Sequence, residues 1–334
     1  MPKILIIGAT GFIGSHLSLE AKKRNYQMFA AVRKESNHDF LQKNDINSYE
    51  LNLDNKALLE NQIANIKHEI DSFDYIIYNV GCTQSLNKQD YYTINFEYLK
   101  NFISALQTNT FYPKKLLFTS SLAVHQPGDS NSMKPITEKD ALLPVSHYGK
   151  SKLQAELFLK TIKDFPIVIA RPTAVYGPKD LNFLSLIKSI NNHIELYPIN
   201  RKQRLSMLHI DDLVDAFFSL LENDNCSGAY LISDGNHYSL QEINNSIKAH
   251  LNRKTIKLSL PLFLLIIAAF FAELRDKIKS KAGIFNLEKV KEIKARNWQC
   301  DISKLKNDVG FHAKYNFNEG IKTSINWIKD NGYI

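Results

Sequence analysis

The chain has 334 residues, of which 44% are hydrophobic, and its 42 Lys plus Arg against 34 Asp plus Glu give a formal net charge of +8. This length suits one large α/β unit or two domains that share a core, and the composition excludes a disordered or collagen-like chain. The basic excess is spread over short stretches, so we expect no nucleic-acid partner. Three distant cysteines without a C-x-x-C motif predict reduced thiols in a cytoplasmic protein with no metal site.

The first two-thirds of the sequence alternate short apolar runs with longer amphipathic segments. The runs are nearly continuous in apolar residues, which is typical of parallel strands buried on both faces. Repetition of strand, helix and strand at this spacing predicts an α/β Rossmann fold, a doubly wound parallel sheet. The predicted strands are Lys3–Ile7, Met28–Val32, Tyr75–Tyr78, Lys115–Thr119 and Pro166–Ala170, and the predicted helices are Gly14–Arg24, Lys56–Ile70, Tyr92–Gln107 and Tyr148–Lys163.

The pattern changes after about Gly177. Residues 1–177 form the predicted dinucleotide-binding domain, which a late strand near 229–233 is expected to join. Helical patterns dominate residues 178–334, so we expect this part to be mainly a smaller, mostly helical substrate-binding lobe.

A glycine-rich turn directly follows the first predicted strand. In the pattern G-x-x-G-x-x-G, Gly8 permits a tight turn, Gly11 lets the backbone approach a pyrophosphate, and Gly14 lets the next helix pack on the sheet. An ordinary glycine-rich turn between strand and helix is the alternative. The turn residues that we expect to bind a dinucleotide are Gly8, Thr10, Gly11, Phe12, Ile13 and Gly14.

The end of the second strand bears on the choice of dinucleotide. A site for NAD(H) usually has Asp or Glu about 20 residues after the glycine turn, where it binds the ribose 2′-hydroxyl. Arg33 and Lys34 stand there instead and suit a 2′-phosphate, so NADP(H) is favoured over NAD(H), with two solvated surface cations as the alternative. Asn52 and Leu53 follow an apparent third strand and are expected beside the adenine; a simple turn is the alternative for Asn52.

A tyrosine and a lysine are spaced as a helical acid/base pair. Tyr148 and Lys152 are four residues apart, so both project from one face of a helix. A nearby ammonium is expected to lower the pKa of a phenol toward neutrality, which suits interconversion of an alcohol and a carbonyl. Ser120 and Ser121 end a strand at the same predicted sheet edge, where a hydroxyl can hold the substrate oxygen. The alternative for the pair is a solvated helix face.

Further motifs occur in the same chain order. They are Asp74–Gly81 at the end of a strand, Asn95 on a helix, Ser120–His125, Arg171–Pro178 with the pattern R-P-x-x-V-Y-G-P, and His209–Leu213. With the glycine turn and the Tyr/Lys pair, they resemble the extended short-chain dehydrogenase/reductase superfamily. The resemblance lies with its epimerase/dehydratase and 3β-hydroxysteroid-dehydrogenase-like branch, and it covers nearly the whole chain.

The resemblance implies roles for the matching residues. Tyr148 is expected to be the acid/base, Ser121 to orient the substrate oxygen, and Lys152 to bind the nicotinamide ribose and tune Tyr148. Relatives in this superfamily pair through the helices that correspond to those bearing Asn95 and Tyr148, which implies a homodimer. The cofactor-lining residues that the resemblance adds are Val80, Gly81 and Pro172.

Departures from the family pattern bear on the reaction. His125-Gln126 replaces Tyr-Gly, Ala174 stands where many nucleotide-sugar enzymes have Asn, and Arg204 lies one place from an Arg that often holds a diphosphate. They favour an NAD(P)-dependent oxidoreductase that interconverts a secondary alcohol and a ketone by hydride transfer. The alternative is a nucleotide-sugar epimerase/dehydratase with tightly bound NAD, followed by a non-catalytic cofactor-sensing protein. In each case the partner is a small molecule, apolar or sugar-like.

A hydrophobic stretch lies in the C-terminal lobe. Leu260–Ala272 is apolar throughout and is followed by a segment that is basic on balance. Thirteen helical residues rise about 20 Å, which is short of the ~30 Å hydrocarbon core of a bilayer. We favour a buried helix that covers the substrate pocket. The alternative is an apolar lid that makes peripheral membrane contact through 260–281 and associates the protein with a membrane.

Overall fold

A computed structural model of the chain describes residues 1–198, 203–278, 283 and 287–334. The described strands are β1 (Lys3–Ile7), β2 (Gln27–Val32), β3 (Asn47–Glu50), β4 (Tyr75–Tyr78), β5 (Lys115–Thr119), β6 (Ile167–Pro172), β7 (Ala174–Tyr176), β8 (Ile194–Pro198), β9 (Arg204–Leu205), β10 (Met207–His209), β11 (Gly228–Ile232), β12 (Tyr238–Ser239), β13 (Ile256–Leu260) and β14 (Asn297–Trp298). Seven of them form one all-parallel sheet in the order β3-β2-β1-β4-β5-β6-β11. This order reverses beside β1, as it does in a Rossmann fold.

Helices connect the strands and build the rest of the chain. They are α1 (Phe12–Lys23), α2 (Asp39–Lys43), α3 (Lys56–Glu69), α4 (Lys88–Tyr92), α5 (Tyr98–Thr108), α6 (His147–Leu159), α7 (Leu184–Asn191), α8 (Ile210–Glu222), α9 (Leu240–Leu251), α10 (Leu262–Ile278), α11 (Leu287–Lys294), α12 (Ser303–Val309) and α13 (Phe317–Asp330). A π-helical turn, Thr93–Glu97, joins α4 to α5, and a 3₁₀ turn covers Leu122–Val124.

The parallel sheet is buried on both faces. In β1, Ile4 and Ile6 pack into one hydrophobic cluster with α1 and α8, whereas Leu5 and Ile7 pack into a second cluster with α3, α5 and α6. Because successive side chains of a strand point to opposite faces, a strand that is covered on both sides must be apolar throughout. This explains the continuous apolar runs and confirms the predicted doubly wound fold.

The predicted elements agree closely with the observed ones in the sheet. β1, β4 and β5 have the predicted bounds, β6 extends two residues further than predicted, and β11 joins the sheet beside β6. Beyond the sheet, α7, α9 and α13 bury a third hydrophobic cluster, and short strands link this part to the end of the sheet.

The expectation of a buried helix at Leu260–Ala272 is wrong. The segment is largely helix α10, but its outward side chains are exposed, with Phe263 and Phe271 each 61% accessible. Among its described side chains, Ala269 and Asp276 are the buried ones. Residues 279–281, which complete the predicted membrane-contact segment, lie outside the described residues. A search of the described helices found none with the length and apolarity that a membrane crossing requires.

Candidate active site

The carboxyl ends of the parallel strands open into a cavity of about 730 Å³. Ligands of open α/β sheets bind at this edge. Among the described residues, no Asp, Glu or His lines the cavity, whereas Arg33 and Lys152 both do, so the charge of the wall suits an anionic ligand. The predicted site residues that line it are Gly8, Thr10, Gly11, Phe12, Ile13, Arg33, Leu53, Val80, Gly81, Ser121, Tyr148, Lys152 and Pro172.

The glycine turn closes one end of the cavity. Gly8 has a φ of +86°, and a side chain there would lie 3.0 Å from the carbonyl oxygen of Asn79. Gly11 has no side chain to cap α1, which leaves backbone N–H groups of the first helical turn to a bound ligand. Gly14 lies outside the cavity wall, where a side chain would overlap the carbonyl oxygen of Gly8. Its place is therefore in packing α1 tightly against the turn.

The residues beyond β2 and β3 are only partly brought to the cavity. Arg33 follows β2 and lines the cavity, and its backbone N–H donates to the hydroxyl of Ser36 at 3.2 Å. Lys34 is exposed and outside the wall. Asn52 is also outside the wall, and its side-chain oxygen accepts a hydrogen bond from the backbone N–H of Asn55 at 3.2 Å, as a turn residue does. Its contact with adenine stays a prediction.

The predicted catalytic side chains converge where β5 ends and α6 begins. Ser121 follows β5 and forms a hydrogen bond with Tyr148 in the first turn of α6. Lys152, one turn further along the same helix face, is 2% exposed, and its Nζ donates to the carbonyl oxygen of Thr119 at 2.8 Å and of Val80 at 3.3 Å. The helical spacing that predicted a shared face is therefore realised.

The pKa values of the pair differ from the sequence expectation. Burial raises the pKa of Tyr148 to about 12; the carboxylate of Glu292 adds to the rise and the hydrogen bond from Ser121 opposes it. Burial also lowers the pKa of Lys152 to about 7, although the nearby carboxylate of Glu156 opposes this shift. The expectation of a lowered pKa for Tyr148 is wrong for this structure, because burial of the phenol is the largest influence on its pKa and raises it.

A buried charge network lies directly behind these side chains. The carboxylate of Glu156 is fully buried and accepts hydrogen bonds from the hydroxyl of Ser120 at 2.5 Å and from Arg171 Nε at 2.9 Å. Arg171 Nη1 lies 3.0 Å from Nε2 of His125. Since a guanidinium only donates, this nitrogen of His125 accepts, and burial with the Arg171 charge lowers the pKa of His125 to about 4. The network thus joins β5, α6 and β6 at the cavity edge.

Sequence reasoning missed the function of Glu156, although a signal was present. Glu156 follows Lys152 by four residues, so it lies one further turn along the face that carries Tyr148. Its partner Arg171 belongs to the R-P-x-x-V-Y-G-P motif. A carboxylate at that spacing, with an arginine at the end of the neighbouring strand, predicts a buried pair because each group needs a partner at the sheet edge.

Asn95 fixes the loop after β4 against α6. Its side-chain oxygen accepts from the backbone N–H of Cys82 at 2.7 Å, and its amide nitrogen donates to Ser151 Oγ at 2.8 Å. Asn95 lies in the π-helical turn, a local irregularity that is frequent at functional sites. This hydrogen bonding holds Gly81, the neighbour of Cys82, beside the Lys152 ammonium.

The other end of the cavity contains polar residues for which the sequence offered no motif. Gln84 and Asn182 both line it, and Nε2 of Gln84 donates to the side-chain oxygen of Asn182 at 3.2 Å. Arg204 is elsewhere: it forms an exposed ion pair with Glu242 at 3.0 Å. No group of three or more His, Cys, Asp or Glu side chains suited to a metal ion occurs in the part of the chain that the structure describes.

The fold and this cavity define a class of enzyme. Residues 4–233 match the model of the NAD dependent epimerase/dehydratase family. The match covers more than half of the chain, so the protein belongs to this family and is an enzyme of the extended short-chain dehydrogenase/reductase type, as the sequence motifs implied.

Individual relatives align with almost the entire chain. A UDP-glucose 4-epimerase of Vibrio cholerae is 28% identical over 96% of this chain and 94% of its own length. The N-acetyl-alpha-D-glucosaminyl-diphospho-ditrans,octacis-undecaprenol 4-epimerase of Escherichia coli O157:H7 is 24% identical over 97% of this chain and 94% of its own length. The crystal structure of a UDP-glucuronic acid 4-epimerase from Bacillus cereus in complex with NAD has a TM-score of 0.76 at 19% identity, with 98% of this chain and 99% of that one covered. At this identity the structural likeness establishes the fold alone.

Proposed function

We propose that the protein catalyses NAD-dependent epimerisation at a hydroxyl-bearing carbon of a sugar that is joined to a diphosphate. The observation that carries the proposal is the single cavity, in which Tyr148 with its hydrogen-bonded Ser121 shares a wall with the glycine turn. The two curated relatives described above are both named as 4-epimerases and align over nearly the whole chain. The comparisons therefore support the epimerase alternative better than the simple interconversion of a secondary alcohol and a ketone.

Epimerisation suits the described wall better than dehydration does. Eliminating water from a sugar needs a second acid/base group besides the one that handles the oxidised hydroxyl. The titratable side chains on the described cavity wall are Arg33, Cys82, Tyr98, Tyr148 and Lys152, with no carboxyl or imidazole among them. Leu122 and Ala123, the residues directly after Ser121, also bring no acid. One proton-transfer group is enough for an epimerase, because the hydroxyl that loses a proton later regains it.

The cavity fits a nicotinamide dinucleotide. Its cradle depends on Gly8, where a side chain would approach the backbone of Asn79, and its wall bears cations without carboxylates among the described residues. In this proposal the backbone around Gly11 holds the pyrophosphate, and Lys152 holds the nicotinamide ribose. NAD, when bound, supplies the hydride acceptor and a positive charge that favours the Tyr148 phenolate.

We propose NAD as the resident cofactor, in place of the NADP(H) that Arg33 favoured. The similar structure from Bacillus cereus was solved with NAD. Arg33 is the charged side chain from the end of β2 that lines the cavity, so it is the residue to vary when NAD and NADP are compared. The experiment is to release and identify the nucleotide of the purified protein, and to titrate NAD and NADP into the Arg33→Asp variant. We expect NAD to be recovered and Arg33→Asp to weaken NADP binding about tenfold relative to NAD, as the loss of one charge-assisted contact predicts. Lys34→Asp, outside the wall, is the matched control.

Tyr148 carries the proton chemistry in this proposal. Ser121 and the phenol oxygen of Tyr148 are hydrogen-bonded to each other, so a sugar hydroxyl placed between them meets a donor and an acceptor at once. Tyr148 then takes the hydroxyl proton and returns it to the oxygen after the sugar has presented its other face. The raised pKa of Tyr148 makes its phenolate a strong base for the step in which the proton is taken from the sugar hydroxyl.

The substrate is proposed to lie between the two predicted parts of the chain, 1–177 and 178–334. Gln84 from the first part and Asn182 from the second meet across the far end of the cavity, where their amides suit sugar hydroxyls. The diphosphate is carried by a nucleotide or by a polyprenol, since relatives of both kinds cover nearly the whole chain. A homodimer through the helices that bear Asn95 and Tyr148 remains part of the proposal.

A specific observation favours the oxidoreductase as second candidate. Arg204 is paired with Glu242 at the surface. It lies one place from the position at which many members of the family have an arginine that holds the diphosphate. A site without that cation suits an uncharged alcohol or ketone, and Tyr148 with Ser121 serves both reactions. The two candidates differ in outcome, because an oxidoreductase changes the redox state of free cofactor and an epimerase leaves it unchanged.

The deciding experiment is product analysis with the purified, NAD-loaded protein. UDP-glucose, UDP-N-acetylglucosamine and a short-chain polyprenyl-diphosphate N-acetylglucosamine are incubated separately, and the sugar is examined by NMR. The proposal predicts the 4-epimer of at least one of them with no net formation of reduced cofactor. Stoichiometric reduction of added cofactor by a simple secondary alcohol, with no epimer from any sugar, would establish the second candidate instead.

A further inference from the structure

Helix α10 turns an apolar face to the solvent. This α10 face is made of residues whose side chains are 40–78% exposed, namely Phe263, Leu264, Ile266, Ile267, Phe270, Phe271, Leu274 and Ile278. A helix on the surface of a water-soluble domain normally buries its apolar side and exposes its polar side. α10 instead exposes its large apolar side chains. Contiguous apolar surface of this kind marks an interaction site.

The acidic residues of α10 point away from that face. Asp276 is 4% exposed and pairs with Arg275 at 2.8 Å, while a carboxylate oxygen of Glu273 accepts the backbone N–H of Leu287, at the start of α11, at 2.8 Å. The small residue Ala269 is buried on the same inner side. The inner side is therefore held to the protein by polar contacts. Apart from Arg275, which is 61% exposed, the large exposed side chains that the structure describes on α10 are apolar.

Apolar exposure continues into the strand before the helix. Ile256 in β13 is 69% exposed and is paired in register with Ile194 in β8, which is 40% exposed. Leu258, two residues later on the same side of β13, is 44% exposed. β13 runs into α10 through Pro261, so the exposed apolar residues form one continuous stretch of chain.

Basic side chains flank the apolar surface, and they indicate what covers it. Arg253, Lys254 and Lys257 precede α10 and are exposed, and residues 248–260 contain no Asp or Glu. At the other end, Arg275 is exposed. The sequence after it is also basic on balance, but residues 279–281 lie outside the described residues. An apolar helix face with basic flanks matches the acyl chains and anionic headgroups of a bilayer. A second copy of the chain would bring its own basic flanks against these.

We propose that the α10 face docks the protein on the surface of an anionic phospholipid bilayer. The helix lies in the interface rather than across it, because its 17 residues rise about 25 Å and no described helix is long and apolar enough to cross. The side chains of the α10 face enter the boundary between headgroups and acyl chains. The basic residues on both flanks meet the headgroups.

Docking brings the whole protein, and with it the cavity, to the membrane surface. A sugar diphosphate on an apolar carrier chain is held at that same surface. This consequence for the substrate rests on the proposed function, whereas the docking itself does not.

The test is co-sedimentation of the full-length, NAD-loaded protein with lipid vesicles. Vesicles of phosphatidylcholine with phosphatidylglycerol are compared with phosphatidylcholine alone, at low and high salt. We expect binding to the anionic vesicles that weakens with salt, and a loss of at least about tenfold in the triple variant Phe263→Ser, Phe270→Ser, Phe271→Ser. The matched control is Leu143→Ser with Leu58→Ser, two exposed leucines away from α10, which should bind as the wild type does.

Further arms separate the possible outcomes. Lys254→Gln with Lys257→Gln should reduce the preference for anionic vesicles without changing the apolar face. Equal binding of the triple variant, or no binding by the wild type, would overturn the docking proposal. An oligomer in light scattering that the triple variant dissociates, without vesicle binding, would show that a second copy covers the face. Turnover of a nucleotide sugar without vesicles should be the same in wild type and triple variant, so loss of docking and failure of the proposed function remain distinguishable.

Discussion

The cavity edge and helix α10 depart from the usual distribution of residues in opposite directions. At the cavity edge, Glu156 and Arg171 are charged and buried, whereas on α10 Phe270 and Phe271 are apolar and exposed. Each arrangement disfavours folding taken alone, since buried charge loses hydration and exposed apolar surface orders water. The two regions differ in whether their side chains have partners within the chain. The buried charges are fully paired, whereas no described residue covers the α10 face. The buried pair therefore positions groups inside the molecule, and we propose that the exposed face serves contact outside it.

The largest expected effect is on kcat and follows from removing the hydroxyl group of Tyr148 alone. Tyr148→Phe removes the hydroxyl that exchanges the substrate proton, so we expect kcat to fall about 10²- to 10⁴-fold while the fold is retained. Tyr333→Phe, in the exposed C-terminal segment, is the matched control and should leave kcat unchanged. Steady-state kinetics on the epimerised sugar measure both. Full activity of Tyr148→Phe would remove Tyr148 from the mechanism.

The buried network provides the next effect, on stability. Glu156→Gln leaves the Arg171 guanidinium buried without a charged partner, and we expect the free energy of unfolding to fall by about 3–5 kcal/mol. Glu242→Gln makes the same change in the exposed pair with Arg204 and should cost about 1 kcal/mol or less. Urea unfolding followed by circular dichroism compares the two variants. Similar losses in both would contradict the claim that burial makes this pair different.

The same network predicts a pH dependence of stability. The pKa of His125 is about 4 in the folded chain and 6.5 in the unfolded chain, so the unfolded chain binds the extra proton between these values. The stability that this group contributes is therefore complete above pH 6.5 and is lost as the pH falls through 4, by about 3 kcal/mol. His125→Gln should flatten this part of the stability curve. Denaturant midpoints measured across this range give the result.

The smallest expected effect belongs to α10. Phe270→Ser replaces an exposed ring, so the free energy of unfolding should change by no more than about 0.5 kcal/mol. Phe102→Ser in the core of α5 is the contrast and should cost several times more, because that ring is fully buried. A thermal unfolding series measures the pair. A large loss in Phe270→Ser would show that α10 packs inward, which would contradict both the comparison and the docking surface.

The sequence could predict those features that a local pattern of residues determines. It could not predict the features that tertiary packing determines. The strands were predictable, because burial on both faces forces continuous apolar runs such as Lys3–Ile7. Tyr148 and Lys152 were predictable, because helical spacing alone puts them on one face. The exposure of α10 was not predictable, because an unbroken apolar run has no periodicity that would indicate which side faces the solvent.

Two details of the site also lay beyond the sequence. Asn52 has the residue type for an adenine contact, but its side chain is used to cap the backbone of Asn55 three residues later. The pKa of Tyr148 could not be read from the spacing to Lys152 either, because burial of the phenol is the largest influence on it. Both depend on three-dimensional surroundings that a linear motif does not contain.

The central claim is that the cavity inverts a sugar carbon by hydride transfer to and from a bound dinucleotide, with Tyr148 handling only the hydroxyl proton. Epimerisation in deuterium oxide tests it directly, because hydrogen that moves as hydride does not exchange with solvent. We predict that NMR and mass spectrometry of the product will show protium retained at the inverted carbon. Deuterium at that carbon would mean that it is deprotonated and reprotonated, and would contradict this account.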